Sequence, residues 1–209
     1  MKRYMLLAGL ISVILIANGC TNKNINSSSN ISNKTNETQA KSTSNNSNLK
    51  EEKALEASYK ENNDLKKNDI EEARNFQTSL KNGSVIMISR GSSKELEVYN
   101  ISSLDKFVDS FNNGKEGYVR VIKGAIEDDG SFAVNKLEEY ETDGKVIKDT
   151  PYDTYTDKSK FTQGKPTYLC KIIKSCSHNL VRYSVLQSKH IKEDMGATII
   201  SFDKNSMKD

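Results

Sequence analysis

Hydrophobic residues fall into three regimes along this 209-residue chain. Behind the basic pair Lys2 and Arg3, Met5 to Ala17 is an apolar run that gives way to Ala17-Asn18-Gly19-Cys20. Next, from Thr21 to Asn48, 20 of 28 residues are Asn, Ser or Thr, and Ile25, Ile31 and Ala40 are the only apolar ones. Such a stretch cannot bury enough surface to offset its ordering entropy, and it reads as a disordered, flexible tether. From Leu49 to Lys67 the chain is charged with weak helical patterning, as expected for a frayed helix or a continuation of the tether over residues 20–68.

From Asp69 the apolar positions acquire clear periods. Asp69 with Glu72 has the form of a capping box, and Ile70, Ala73, Phe76 and Leu80 recur at helical spacing before Gly83. Ser84 to Ser89 is a short run rich in β-formers, and Glu97 to Tyr99 predicts a minor strand. A second helix, capped by Ser102 or Ser103, presents Leu104, Phe107, Val108 and Phe111 on one face and ends at Gly114. Period-two alternation follows in residues 118–122, 134–140, 146–154, 167–173, 180–187 and 198–202, with hairpin turns at Asp129-Gly130 and Asp143-Gly144. No long helix separates these strands, so neighbours should pair antiparallel. The expected domain, residues 69–203, is α+β: an antiparallel meander sheet with one or two covering helices, followed by a flexible tail over 204–209.

The N-terminal pattern carries an address. A basic start, a short apolar run and small residues before a cut describe a secretory signal over residues 1–19. The run is too short for a membrane-spanning helix, which needs about 20 apolar residues. An ordinary cleaved signal would leave Cys20 incidental; the lipoprotein reading makes Cys20 the lipid-modified N-terminus, with the membrane as partner through two acyl chains. Removing Lys2 and Arg3 from 31 basic residues leaves 29 against 28 acidic ones, so no positive excess remains to drive nucleic-acid binding. The Asn- and Lys-rich usage points to a low-GC Gram-positive cell, with the protein on the extracytoplasmic face of its membrane.

From Asn82 onward the order of motifs is similar to that of a family of small bacterial lipoproteins, domain of unknown function 4362, over roughly residues 80–203. The resemblance rests on Asn82-Gly83-Ser84-Val85, on Val98-Tyr99-Asn100 leading into Leu104-Asp105-Lys106-Phe107, and on Tyr118-Val119-Arg120-Val121. It continues through Leu137-Glu138-Glu139-Tyr140-Glu141-Thr142-Asp143-Gly144-Lys145, the Tyr152-Asp153 region and Tyr168-Leu169-Cys170-Lys171. It implies a secreted, anchored domain and supplies no reaction or catalytic residues. Members often place a second cysteine near the position of Ser188; here the second cysteine is Cys176.

Candidate chemistry is sparse. Cys170 and Cys176 are the thiols left after lipidation, and a local disulfide across a hairpin turn at 174–177 competes with two reduced structural thiols. A reactive pair of Cys176 with His178 lacks an identifiable third group, and His178 with His190 fits none of the usual zinc spacings. No cofactor or metal is expected. Among the acidic residues, Asp128, Asp129 and Asp143 read as turn formers, while Glu138, Glu139, Glu141 and Asp149 read as solvated charges near Lys136, Lys145 and Lys148. Tyr152 and Tyr155, set among short polar residues, suit an exposed binding patch for a peptide or sugar. The expectation is a lipid-anchored binding domain for a protein, peptide or cell-wall ligand; the alternatives are an envelope enzyme and an inhibitor or immunity-type protein. Cys20→Ala is expected to abolish labelling by radioactive palmitate and to release the domain or leave the precursor uncut. Unchanged labelling would overturn the lipid assignment.

Overall fold

Alternating apolar residues beyond Gly83 do form strands, and the chain is α+β with mostly antiparallel pairing. The computed structural model describes residues 50–91, 95–157 and 159–208. The expected signal sequence, Cys20 and the part of the expected tether up to residue 49 lie outside the described residues.

Residues 50–58 are helical (α1). A 3₁₀ turn, Ile70–Arg74, and helix α2, Phe76–Lys81, replace the single helix expected from the capping-box pattern. Two side chains explain the break. Asn75 sits in extended backbone and its side chain accepts from Thr78 N–H, so it caps a new helix where the first would have continued. Glu72 does not close the box but accepts from the Asn82 side chain at 2.7 Å.

Strands β1 (Val85–Arg90) and β2 (Leu96–Tyr99) lead into helix α3 (Ile101–Asn112). That helix begins one or two residues before the expected caps. Asn100 holds the left-handed conformation at its start and donates to the carbonyls of Leu80 and Ser84 at 2.8 and 3.0 Å. After α3 come β3 (Gly117–Ile126), β4 (Phe132–Thr142), β5 (Ile147–Asp153), β6 (Thr162–Gln163), β7 (Thr167–Leu169), β8 (Lys171–Ser177), β9 (Leu180–Leu186) and β10 (Ala197–Asp203).

The sequence pattern predicts one antiparallel meander, whereas these strands form two sheets and include a parallel pair. The larger sheet runs β2-β1-β3-β4-β5, with β6 and β7 both pairing β5; the smaller runs β10-β9-β8. β1 and β3 are parallel, because β2 reverses the chain and α3 returns it before β3 begins. The run expected as one strand over 167–173 is broken at Cys170, whose N–H donates to Leu186 C=O and transfers the chain from the larger sheet to the smaller.

Two cores flank the larger sheet. One gathers Val85, Val121, Tyr140 and Ile147 with Leu104 and Phe107 of α3 and with Ile172, Tyr183, Ile200 and Phe202 of the smaller sheet. The other joins Ile86, Ile88, Ile122 and Leu137 to Ala73 and Phe161. β1 is thus buried on both faces, which is why its residues form an apolar run without alternation.

The segment expected to be flexible at the C-terminus is paired instead. Lys204–Ser206 form a 3₁₀ turn, Met207 bridges Val98, and Lys208 N–H donates to Val98 C=O at 2.9 Å.

Both predicted hairpin turns form, and their glycines differ in a testable way. Gly130 (φ 83°) has open space where a Cβ would stand, whereas a Cβ on Gly144 (φ 86°) would lie 2.3 Å from the Gly114 carbonyl carbon. In urea unfolding, Gly130→Ala is expected to cost about 1 kcal/mol for the left-handed backbone alone, and Gly144→Ala ~3 kcal/mol from strain plus clash. Equal costs would show that the approach of residues 114 and 144 contributes nothing.

Candidate functional site

The acidic strand β4 decides where chemistry is available. Its carboxylates Glu138, Glu139 and Glu141, expected on a solvated face, are only 6, 4 and 1 % exposed. The correction has a physical cause: residues 59–69 cross the Glu139 and Glu141 face of the sheet and cover it, while Glu138 on the opposite face is buried beside Tyr140. Arg120 on β3 contacts Glu139 Oε1 through Nε at 3.0 Å and Nη2 at 2.8 Å. The same guanidinium donates to the backbone carbonyls of Asp69 (3.0 Å) and Asn68 (2.6 Å). Tyr118 donates to Glu139 Oε1 and Tyr152 to Glu139 Oε2 (2.9 Å). Burial, reinforced by the Glu139 charge, pushes both phenols well above their ordinary range, so both stay protonated as donors.

Farther along the same face Glu141 is flanked by Lys67 at 2.7 Å and Lys148 at 3.8 Å. Lys148 also reaches Glu61, the Tyr59 ring rests against Tyr168 at 5.7 Å, and Lys60 N–H donates to Asp143. The charged stretch read as frayed helix or tether is therefore helical over 50–58 and docked beyond it. The Arg120–Glu139 group is saturated with partners, which makes it a structural clamp.

The opposite face of β4 differs. Glu138 accepts from Tyr140 at 3.0 Å and pairs with Lys136 at 2.6 Å. Across from Tyr140 stands Asp149 on β5. Its Oδ1 is buried and accepts no hydrogen bond among the described residues. Burial, then the charge of Glu138, raises this carboxyl from 3.8 to about 7, with Lys136 opposing.

Asp149 lines a cleft of about 290 Å³ where the two sheets diverge. Leu169, Val185, Leu186, Ile191 and Met195 supply apolar wall, and Thr167 and Gln187 add polar groups. Thr167 is the cross-strand neighbour of Asp149. The far wall is the 3₁₀ turn Glu193–Met195, held to β9 by Arg182, which donates to Gly196 C=O at 2.9 Å. Met195 is 71 % exposed at the rim. A second cleft of about 160 Å³ beside Asn82, Ser103 and Arg120 is less suited to a ligand, since the Asn82 and Arg120 side chains are already spent on Glu72, Glu139 and backbone.

The other candidate residues are dispersed. Tyr152 is turned inward onto Glu139, while Tyr155 is 71 % exposed in a turn held by Asp153, so the two rings do not form a shared exposed patch. Cys170 and Cys176 are not disulfide-bonded. Cys170 immediately precedes β8 and Cys176 is next to its last residue, six steps apart at about 3.3 Å per residue, far beyond the Cα separation a disulfide tolerates. The predicted turn at 174–177 is displaced to His178, which holds a left-handed conformation between β8 and β9. Burial pushes the Cys170 thiol up, the wrong direction for a nucleophile. Among the described residues no three His, Cys, Asp or Glu side chains cluster as a metal site. Asp149, grouped in the sequence with solvated charges, is the residue whose role was missed. The available signal was its shared strand face with Ile147.

No protein-family model, curated protein or solved structure matches this chain.

Because the folded chain favours the protonated Asp149, that form contributes stability below the ordinary carboxylate range, and the contribution is lost as pH rises through about 7. Asp149→Asn is expected to raise stability by ~2 kcal/mol near pH 8 and to change little near pH 4. Equal shifts at both pH values in thermal unfolding would rule out this titration.

Proposed function

We propose that this protein is a lipid-anchored surface lipoprotein whose domain binds a ligand in the cleft between its two sheets, without catalysis. Cys20 would hold it to the extracytoplasmic face of the membrane, and the polar tether would let the domain reach a protein, peptide or cell-wall component. The resemblance to the lipoprotein family named above supports the same placement. One observation carries the binding reading: a cleft of about 290 Å³ with apolar walls is lined by Asp149, a carboxyl whose Oδ1 is buried and accepts no hydrogen bond among the described residues. Small-ligand sites are typically concave, mostly apolar and equipped with a few such polar groups.

An enzyme reading draws on the same carboxyl, since a group titrating near 7 suits general acid–base work. Asp149 is, however, the one titratable side chain lining the cleft among the described residues, so a proton relay within them would lack its second member. A photo-crosslinking residue in place of Met195, in the full chain on intact cells, tests the proposal. A discrete adduct with a peptide, protein or wall fragment is expected. It should be absent when the crosslinker replaces Asp128 on the β3–β4 hairpin. Identical adduct patterns from both positions would overturn the cleft as the binding site.

A further inference from the structure

We propose that the cleft is a subsite for a primary ammonium group on a short aliphatic chain, the chemistry a peptide presents in a lysine side chain. The inference rests on the binding role of the cleft and names what the cleft would select.

Charge placement is the first support. Glu138 has its own cation in Lys136 at 2.6 Å and its own donor in Tyr140. Asp149, the cross-strand partner of Tyr140 and on the same sheet face as Ile147, has no ion pair or hydrogen-bond donor of its own among the described residues, and its Oδ1 is buried without one. A buried acceptor left unmet is costly, and a charged donor meets it better than a neutral one. An incoming ammonium group would supply both the charge and the hydrogen bond, and Thr167, directly across from Asp149 on β7, stands beside the same position.

Wall chemistry is the second. Leu169, Val185, Leu186 and Ile191 present branched aliphatic side chains, which suit methylene groups. A volume of about 290 Å³ holds roughly ten non-hydrogen atoms, taking about 30 Å³ for each as for liquid water. That matches one amino-acid residue with a long unbranched side chain, and it excludes a folded oligopeptide. Met195 at the exposed rim adds an unbranched, adaptable surface over which the rest of a peptide could pass.

The test compares three probes on the full lipidated chain in nanodiscs, near pH 8, followed by the methyl resonances of Leu169, Val185 and Leu186. N-acetyl-lysine methylamide carries the ammonium group; N-acetyl-norleucine methylamide has the aliphatic chain without it, and pentylamine has the amine without the peptide unit. The lysine probe is expected to bind about tenfold more tightly than the norleucine probe, in line with a charge-assisted hydrogen bond. Asp149→Asn is expected to erase that preference. Pentylamine binding as well as the lysine probe would show a free amine to be the ligand source, and weaker binding would favour a peptide; both support the ammonium subsite. Equal affinity for the lysine and norleucine probes would overturn the ammonium inference and leave the cleft as an apolar binding site. No methyl shift with any probe would also overturn it, with the crosslink from position 195 then judging the cleft separately. Ala197→Leu, a substitution that narrows the cleft from an exposed position, should weaken both peptide probes alike.

Discussion

A guanidinium taken out of water must be met on every side, and Arg120 is met by the Glu139 carboxylate and two backbone carbonyls. Those carbonyls belong to Asn68 and Asp69, the residues that open the 3₁₀ turn covering the second core. The interaction therefore does two jobs. It makes a buried Glu139 tolerable on the sheet, and it fixes where the covering segment crosses. Removing one member of such a pair usually costs about 3–5 kcal/mol, because the other is left charged and unmatched. Without it, neither Tyr118 nor Tyr152 would have a reason to turn inward, and the face above Leu137 would lose its cover.

On the other side of the sheet the decisive event is a change of partner at Cys170. β7 pairs with β5, and one residue later the chain pairs with β9. Strands that switch sheets make corners, and at a corner two sheets diverge. Here the divergence leaves space between β5 and β7 on one wall and β9 with the Glu193–Met195 turn on the other. Farther from the corner the gap is filled by Tyr183, Phe107 and Phe202. The cleft is thus a by-product of topology that an unpaired aspartate makes chemically selective.

Much of the fold was legible in the sequence, and what was not has identifiable causes. Apolar runs and period-two alternation located most of the strands, though not β6, and Asp-Gly pairs located two hairpins, because these signals are local. The break at Asn75 was less visible, since Ile70, Ala73, Phe76 and Leu80 keep helical spacing across it. The parallel β1–β3 pair and the second sheet depend on contacts distant along the chain. Alternation also states that Glu139 and Glu141 share a face, but not whether water or residues 59–69 cover it. Leu137, on that same face and fully buried, was the hint. Asp149 followed the same logic through Ile147. In both cases a charge shared an apolar face, and the reading that failed was the one that trusted charge over position.

The docked segment also bears on mechanics. Tension carried by the chain N-terminal to residue 59 would not enter the domain at a loose end. It would meet in succession the Tyr59–Tyr168 contact, the Lys60–Asp143 bond, the Lys67–Glu141 pair and finally the carbonyls held by Arg120. These contacts reach β7, the β4–β5 turn, β4 and β3. A pull from that side would thus be shared across several strands before it could peel the cover from the sheet. The cleft, on the opposite face, would keep its shape under a load that the covered face absorbs.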